Sequence, residues 1–188
     1  MSTQHPSKPS KADLERARNA LVPDLIAPNL KVLFCGINPG LYSGATGLHF
    51  ARPGNRFWPA LHLGGFTDRP FTPADEAELL ERGYGITCVV QRATATAAEL
   101  RDEEYVRGGQ RLISLVEQYQ PGGVAFLGIG AYRTAFQRPA ATVGPQPEPI
   151  GSARVWVLPN PSGLNAHYSL ADLGRLFAEC RLALEQPG

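Results

Sequence analysis

Two short segments hold residue types from which a polar pocket could be built: Gly36-Ile37-Asn38-Pro39-Gly40 and Asn160-Pro161-Ser162-Gly163-Leu164. Each supplies an Asn amide, which donates and accepts hydrogen bonds, and a Pro that fixes its own φ. Each also has a Gly that lets backbone approach a ligand closely. An amide takes up no proton near neutral pH, so chemistry in such a pocket would rest on positioning and hydrogen bonding. Taken singly, either segment is equally well explained as a strand-to-loop turn, because Asn and Gly tolerate left-handed backbone.

What precedes the two segments makes them a pair. Lys31-Val32-Leu33-Phe34-Cys35 and Arg154-Val155-Trp156-Val157-Leu158 are short apolar runs rich in β-formers. As parallel strands of one sheet they would deliver both segments to the same carboxyl edge, where open α/β sheets bind ligands. Further strands are expected over 86–90 and 123–127. Helices are expected over 11–21, 56–61, 101–119 and 131–137. Thr72-Pro73-Ala74-Asp75 and Ser169-Leu170-Ala171-Asp172 carry capping patterns that open a helix ending near Gly83 and a last one running to about Glu185. Gly108-Gly109 reads as a weak point inside the 101–119 helix. Residues 36–54 read as a long glycine-rich loop, and 138–152 as a surface loop or loose hairpin. Strands alternating with helices predict an α/β fold: a single-domain three-layer sandwich whose mainly parallel central sheet is flanked by helices. That domain spans 10–188. The Ser-, Pro- and Lys-rich residues 1–9 are expected to be a disordered tail.

Bulk properties narrow the function. The chain has 188 residues, 43% apolar and 19% charged, enough for one ordinary soluble domain. No run approaches the roughly 20 apolar residues that span a bilayer. The opening residues show no secretory pattern, and Cys35, Cys88 and Cys180 form no CxxC pair, so reduced thiols and a cytoplasmic location are expected. A net charge of +1 argues against broad nucleic-acid affinity but leaves room for a local footprint. The histidines lack metal-ligand spacing, and Trp58 is assigned to the core. The acidic groups Asp75-Glu76-Glu78 and Asp102-Glu103-Glu104 read as solvated helix starts, so neither metal nor cofactor is expected.

Taken in order, several segments resemble the mismatch-specific uracil-DNA and thymine-DNA glycosylase family of the uracil-DNA glycosylase superfamily. Gly36 to Gly40, Thr46-Gly47 with Phe50-Ala51, and Asn55-Arg56-Phe57-Trp58 look like its first motif region. Gly85-Ile86-Thr87 with Arg92 looks like its middle segment, and Val157 to Leu164 like its second motif. The resemblance covers about Lys31 to Leu184. It implies an enzyme that flips uracil, or another damaged or mismatched pyrimidine, out of duplex DNA, preferentially opposite guanine. The N-glycosidic bond is then hydrolysed to leave an abasic site. The implied partner is double-stranded DNA, and a monomer is expected. Neither motif contains a Lys, so a Schiff-base mechanism is disfavoured and a monofunctional glycosylase is expected.

The resemblance also assigns roles. Asn38 would hold the attacking water through its side-chain carbonyl. Backbone N–H groups near Ile37 and Tyr42, with Ser43, would bind the base edge. Phe50 would stack on the flipped base, an interaction typically contributing about 1–3 kcal/mol; its other reading is a core Phe. Leu164 would fill the hole left in the duplex, unless it is a buried loop anchor. Asn160, Pro161, Ser162, Gly163 and Asn165 would surround it on the DNA. Three departures stand out. Asn165-Ala166-His167-Tyr168 replaces the Arg that often follows the wedge. Cys88 stands where some relatives have Lys. Ala93 stands where Pro or Thr is usual, which marks 93 as an altered site position; an acid there would have been a water activator. The departures at 88 and 93 support an alternative, a lesion- or abasic-DNA-binding module with little or no turnover. A third reading, a small-molecule nucleotide-binding protein, lacks a GxGxxG or GxxxxGK[ST] signature after the first strand.

Overall fold

In the computed structural model, which describes residues 8–186, the first strand β1 (Val32–Gly36) sits inside the sheet. Parallel to it lie β2 (Tyr84–Cys88) on one side and β3 (Gly123–Leu127) on the other. β5 (Arg154–Leu158) pairs in parallel with β3, and the two-residue β4 (Gly144–Pro145) closes that edge antiparallel, giving the order β2-β1-β3-β5-β4. All residues of β1, β2 and β3 are buried, as expected for parallel strands covered on both faces.

Strand alternation sorts two cores. Val32 and Phe34 face a cluster with Phe57, Leu61, Leu79 and Phe177. These come from α3 (Phe57–Leu63), α4 (Glu76–Glu81) and α7 (Leu170–Glu185). Leu33 and Cys35 face the opposite cluster, with Leu112, Val116, Tyr132 and Ala135. These come from α5 (Asp102–Tyr119) and α6 (Ile129–Phe136). Reciprocal capping boxes form at Thr72/Asp75 and Ser169/Asp172, as the sequence predicts.

Four local expectations change. The first helix, α1 (Lys11–Arg16), stops early. Asn19 turns left-handed (φ 64°) and its N–H donates to the Ala93 carbonyl at 2.8 Å, so pairing with a distant segment overrides helix propensity. The 36–54 loop contains a helix, α2 (Leu41–Thr46). The second strand starts at Tyr84 and ends at Cys88, two residues before the expected positions. Gly108-Gly109 is a contact rather than a weakness: a Cβ at Gly108 would stand 2.0 Å from the Val89 carbonyl oxygen, and one at Gly109 2.6 Å from that of Ala135. Residues 1–7 of the expected tail lie outside the described residues, and no described helix is long and apolar enough to cross a membrane.

Candidate active site

The ends of β1 and β5 open onto one cavity of about 410 Å³ at the carboxyl edge of the sheet. Residues 36–40 form one wall and Asn160, Pro161, Ser162, Leu164 and Asn165 another. Thr94 to Ala97, Cys88, Ser43 and the 49–55 segment complete it. The two Asn-Pro segments, more than a hundred residues apart, therefore meet.

The amide of Asn38 is oriented by its surroundings. Its Nδ2 donates to the carbonyls of Pro39 (3.1 Å) and Arg92 (3.0 Å) and to Thr94 Oγ1 (2.8 Å). Carbonyls only accept, so the nitrogen must face them and the oxygen is turned the other way. Oδ1 has no protein partner among the described residues. The Thr94 hydroxyl donates to the Thr96 carbonyl at 2.8 Å, which leaves its lone pairs for Asn38. Behind this, Arg92 grips Glu104 at 2.6 and 3.0 Å and also donates to Asn19 Oδ1 and the Glu99 carbonyl. The Arg92 hydrogen bonds, with one from the Arg101 N–H, hold the Glu104 carboxyl down to about 2. Glu104 is thus an ion-pair partner rather than the solvated helix start expected. Thr94 carried no signal in the sequence, because its role depends on a contact across 56 positions.

The aromatic floor is built with strain. Phe50 adopts φ 51° and stacks on Phe57 with centroids 4.1 Å apart and planes 23° apart. A Cβ at Gly36 would stand 3.2 Å from the Phe50 ring, so glycine there admits the aromatic. Positive φ at a bulky residue bordering a cavity is the kind of outlier that clusters at functional sites. Trp58 is buried, as expected, and its Nε1 donates to the His49 carbonyl. Ser43 is buried and accepts from the Ala51 N–H at 3.2 Å. Ile37 borders the cavity and packs on Gly128. The Tyr42 side chain does not border it, since α2 turns Ser43 toward the cavity instead; the Tyr42 backbone N–H lies in the first turn of α2, whose N-cap Gly40 lines the cavity.

The 160–165 turn is held by Arg56, which the sequence places in a helix start and in the Asn55-Arg56-Phe57-Trp58 motif segment without a role of its own. Its guanidinium donates to the carbonyls of Tyr168 (2.5 Å), Ser162 (2.7 Å) and Asn165 (2.7 Å), and its backbone N–H to that of Pro161 (3.0 Å). Asn160 Oδ1 accepts from the Ser162 N–H, Ser162 Oγ from the Leu164 N–H, and Asn165 Nδ2 donates to the Asn160 carbonyl. These side chains shape the turn. Gly163 is required, since a Cβ there would stand 2.6 Å from the Gly54 carbonyl oxygen. Leu164, at the tip, is 72% exposed, which excludes the buried-anchor reading.

Among the described residues no carboxylate borders the cavity, and no group of three or more His, Cys, Asp or Glu could hold a metal. Cys88 borders it, but burial pushes its thiol up to about 12, so it is no nucleophile at neutral pH. Ala93 does not border it. Its methyl is buried where a Cβ on Gly44 would stand 2.8 Å away, and its backbone pairs with Asn19 and Ala20.

The sequence model of the uracil DNA glycosylase superfamily matches residues 23–185. The fold matches the solution structure of a candidate uracil DNA glycosylase from Methanosarcina acetivorans. The TM-score is 0.58 at 20% identity, covering 89% of this chain and 99% of that one. The family match takes in both Asn-Pro segments and every strand of the sheet. The chain belongs to the uracil DNA glycosylase superfamily. It is a DNA glycosylase, a hydrolase of N-glycosyl bonds whose partner is DNA.

Proposed function

We propose that this glycosylase is monofunctional and of the mismatch-specific uracil and thymine type. It extrudes uracil, or another damaged or mismatched pyrimidine, from duplex DNA, preferentially opposite guanine, and leaves an abasic site. The observation that carries the reading is Asn38, whose amide nitrogen is committed to three acceptors and whose oxygen is left for the cavity. Departure of the base gives an oxocarbenium-like sugar, so a water held on the opposite face supplies the nucleophile. Asn38 Oδ1 accepts a hydrogen bond from that water. Without a carboxylate in the lining, catalysis rests on positioning and on hydrogen bonds to the departing base, which makes the enzyme slow.

Phe50 offers the ring face not covered by Phe57 to the flipped base, and Ser43 and the Ile37 backbone lie within the same cavity. Leu164, on its tethered turn, enters the duplex where the base has left. A wobble pair costs less to open than a sound one, so part of the selectivity lies in the DNA. The protein acts as a monomer.

Labelled duplexes with uracil opposite guanine, uracil opposite adenine, or only normal pairs test this, with alkali revealing abasic sites. Cleavage confined to uracil strands, faster opposite guanine, is expected. Duplex binding without base release would favour the lesion-binding alternative, to which the carboxylate-free lining lends support.

A further inference from the structure

Residues 10–21 lie ahead of the family match, which starts at 23, and the reading above gives them no part. They run as a strap behind the catalytic amide. A capping box at Ser10 and Asp13 opens α1, whose C-cap Ala17 is buried. A Cβ on Gly44, in α2, would stand 3.1 Å from the Ala17 carbonyl oxygen and 2.8 Å from the Ala93 Cβ, so three segments meet there with no room for a side chain. The chain then turns at Asn19, whose φ of 64° suits Asn better than most residues. The Asn19 N–H donates to the Ala93 carbonyl at 2.8 Å, and the Ala93 N–H to the Ala20 carbonyl at 2.9 Å. Asn19 Oδ1 accepts from Arg92 Nη1 at 3.1 Å. Further on, Leu25 and Ile86 exchange backbone hydrogen bonds at 2.9 and 2.8 Å, and Asp24 accepts from Thr87 Oγ1 at 2.7 Å. The strap is therefore pinned at both ends, and its middle lies on residues 92 and 93. Those residues belong to none of the helices or strands, so tertiary contacts alone fix them. On the far side the Thr94 N–H donates to the Pro39 carbonyl at 3.1 Å. The 92–94 segment is gripped between the strap and the Asn38 loop.

We propose that Asn19 is a positioning residue for base release: it locks the strap onto residues 92 and 93 and so keeps the Asn38 amide oxygen turned to the cavity. Asn19 is itself exposed and does not border the cavity. It acts through the Arg92 carbonyl and the Thr94 hydroxyl, the acceptors that hold Asn38 Nδ2. If the strap lifts, those acceptors gain freedom and the amide gains it with them. A misplacement of about 1 Å at a reacting group can cost a hundredfold in rate, so a small loosening is enough. This rests on the Asn38 reading and extends it to what keeps that residue in place.

The test measures single-turnover release from a uracil–guanine duplex, at saturating enzyme, for the full chain and its Asn19 variants. Asn19→Ala loses Oδ1 and disfavours the left-handed turn. Its release should fall by about tenfold, with duplex affinity within about twofold of the parent. Asn19→Asp keeps an acceptor for Arg92 and tolerates positive φ, so it should release uracil within about twofold of the parent rate. Asn19→Gly takes φ 64° without strain and removes only Oδ1. It keeps the test readable if the Ala variant folds poorly, and a loss of about threefold is expected. Hydrogen-exchange NMR adds a readout that a merely stabilising contact would not move. The Asn38 side-chain NH2 should exchange faster in Asn19→Ala than in the parent, because its acceptors have loosened. Parent release rates in both the Ala and Gly variants overturn the proposal, as does slower release with the Asn38 exchange unchanged. Failure of the Asn38 reading would show separately, as undiminished release by Asn38→Ala.

Discussion

An amide can hold a water in one place only if its own oxygen is kept in one place. Asn38 is fixed by groups that lie 54 and 56 positions along the chain, the Arg92 carbonyl and the Thr94 hydroxyl. Thr94→Val removes an acceptor that the buried network needs, a loss of about 1–3 kcal/mol, so single-turnover base release should fall by about 10- to 100-fold. Duplex affinity should hold, and Thr94→Ser should recover most of the rate. The place of Asn38 at the sheet edge was legible, because both Asn-Pro segments follow apolar strands that end at one carboxyl edge. The contacts of Thr94, Arg56 and His49 were not, although Arg56 falls in a motif segment, because their partners are set by tertiary contacts. The six-residue helix that carries Tyr42 and Ser43 was hidden in a glycine-rich stretch.

Among elements, the Leu164 turn depends most on a partner elsewhere. Three carbonyls of the 160–168 stretch converge on one guanidinium, so Arg56→Met should loosen the turn without touching the cavity floor. A wedge matters only where a stack must be opened. Arg56→Met and Leu164→Ala should each slow uracil release from duplex DNA by about tenfold, a few kcal/mol of unstacking being at stake. Release from single-stranded DNA should change little; equal losses on both substrates would contradict the wedge. The α5 helix makes a different demand. Gly108→Ala should lower the urea midpoint by the equivalent of about 1–3 kcal/mol or more, because its Cβ would meet the Val89 backbone rather than a side chain that could move. The capping boxes and the β3 and β5 strands were readable from local chemistry. The early end of α1 was not, since it follows from pairing with residues 92 and 93.

At the scale of the whole molecule, the sheet brings two distant segments to one edge, and the Arg92–Glu104 pair ties α5 to that edge. Glu104 titrates at about 2 in the folded protein against an ordinary value of 4.5. A depressed folded value means that the ionised form favours folding. That contribution is complete above about 4.5 and is lost as the pH falls toward about 2. Glu104→Gln should therefore flatten the stability curve across that window, measured by urea unfolding at stepped pH, and leave the slope above it unchanged. Parallel order and the shared edge followed from the alternation of strands with helices, whereas the pocket's ion pairs did not. The water that attacks the sugar is the one proposed to sit on Asn38 Oδ1. Single-turnover release from a uracil–guanine duplex, with the enzyme saturating, compares the chain with Asn38→Ala at matched occupancy. Loss of release by at least about a hundredfold, with duplex affinity unchanged, is predicted. An Asn38→Ala variant that releases uracil at the parent rate would contradict the account.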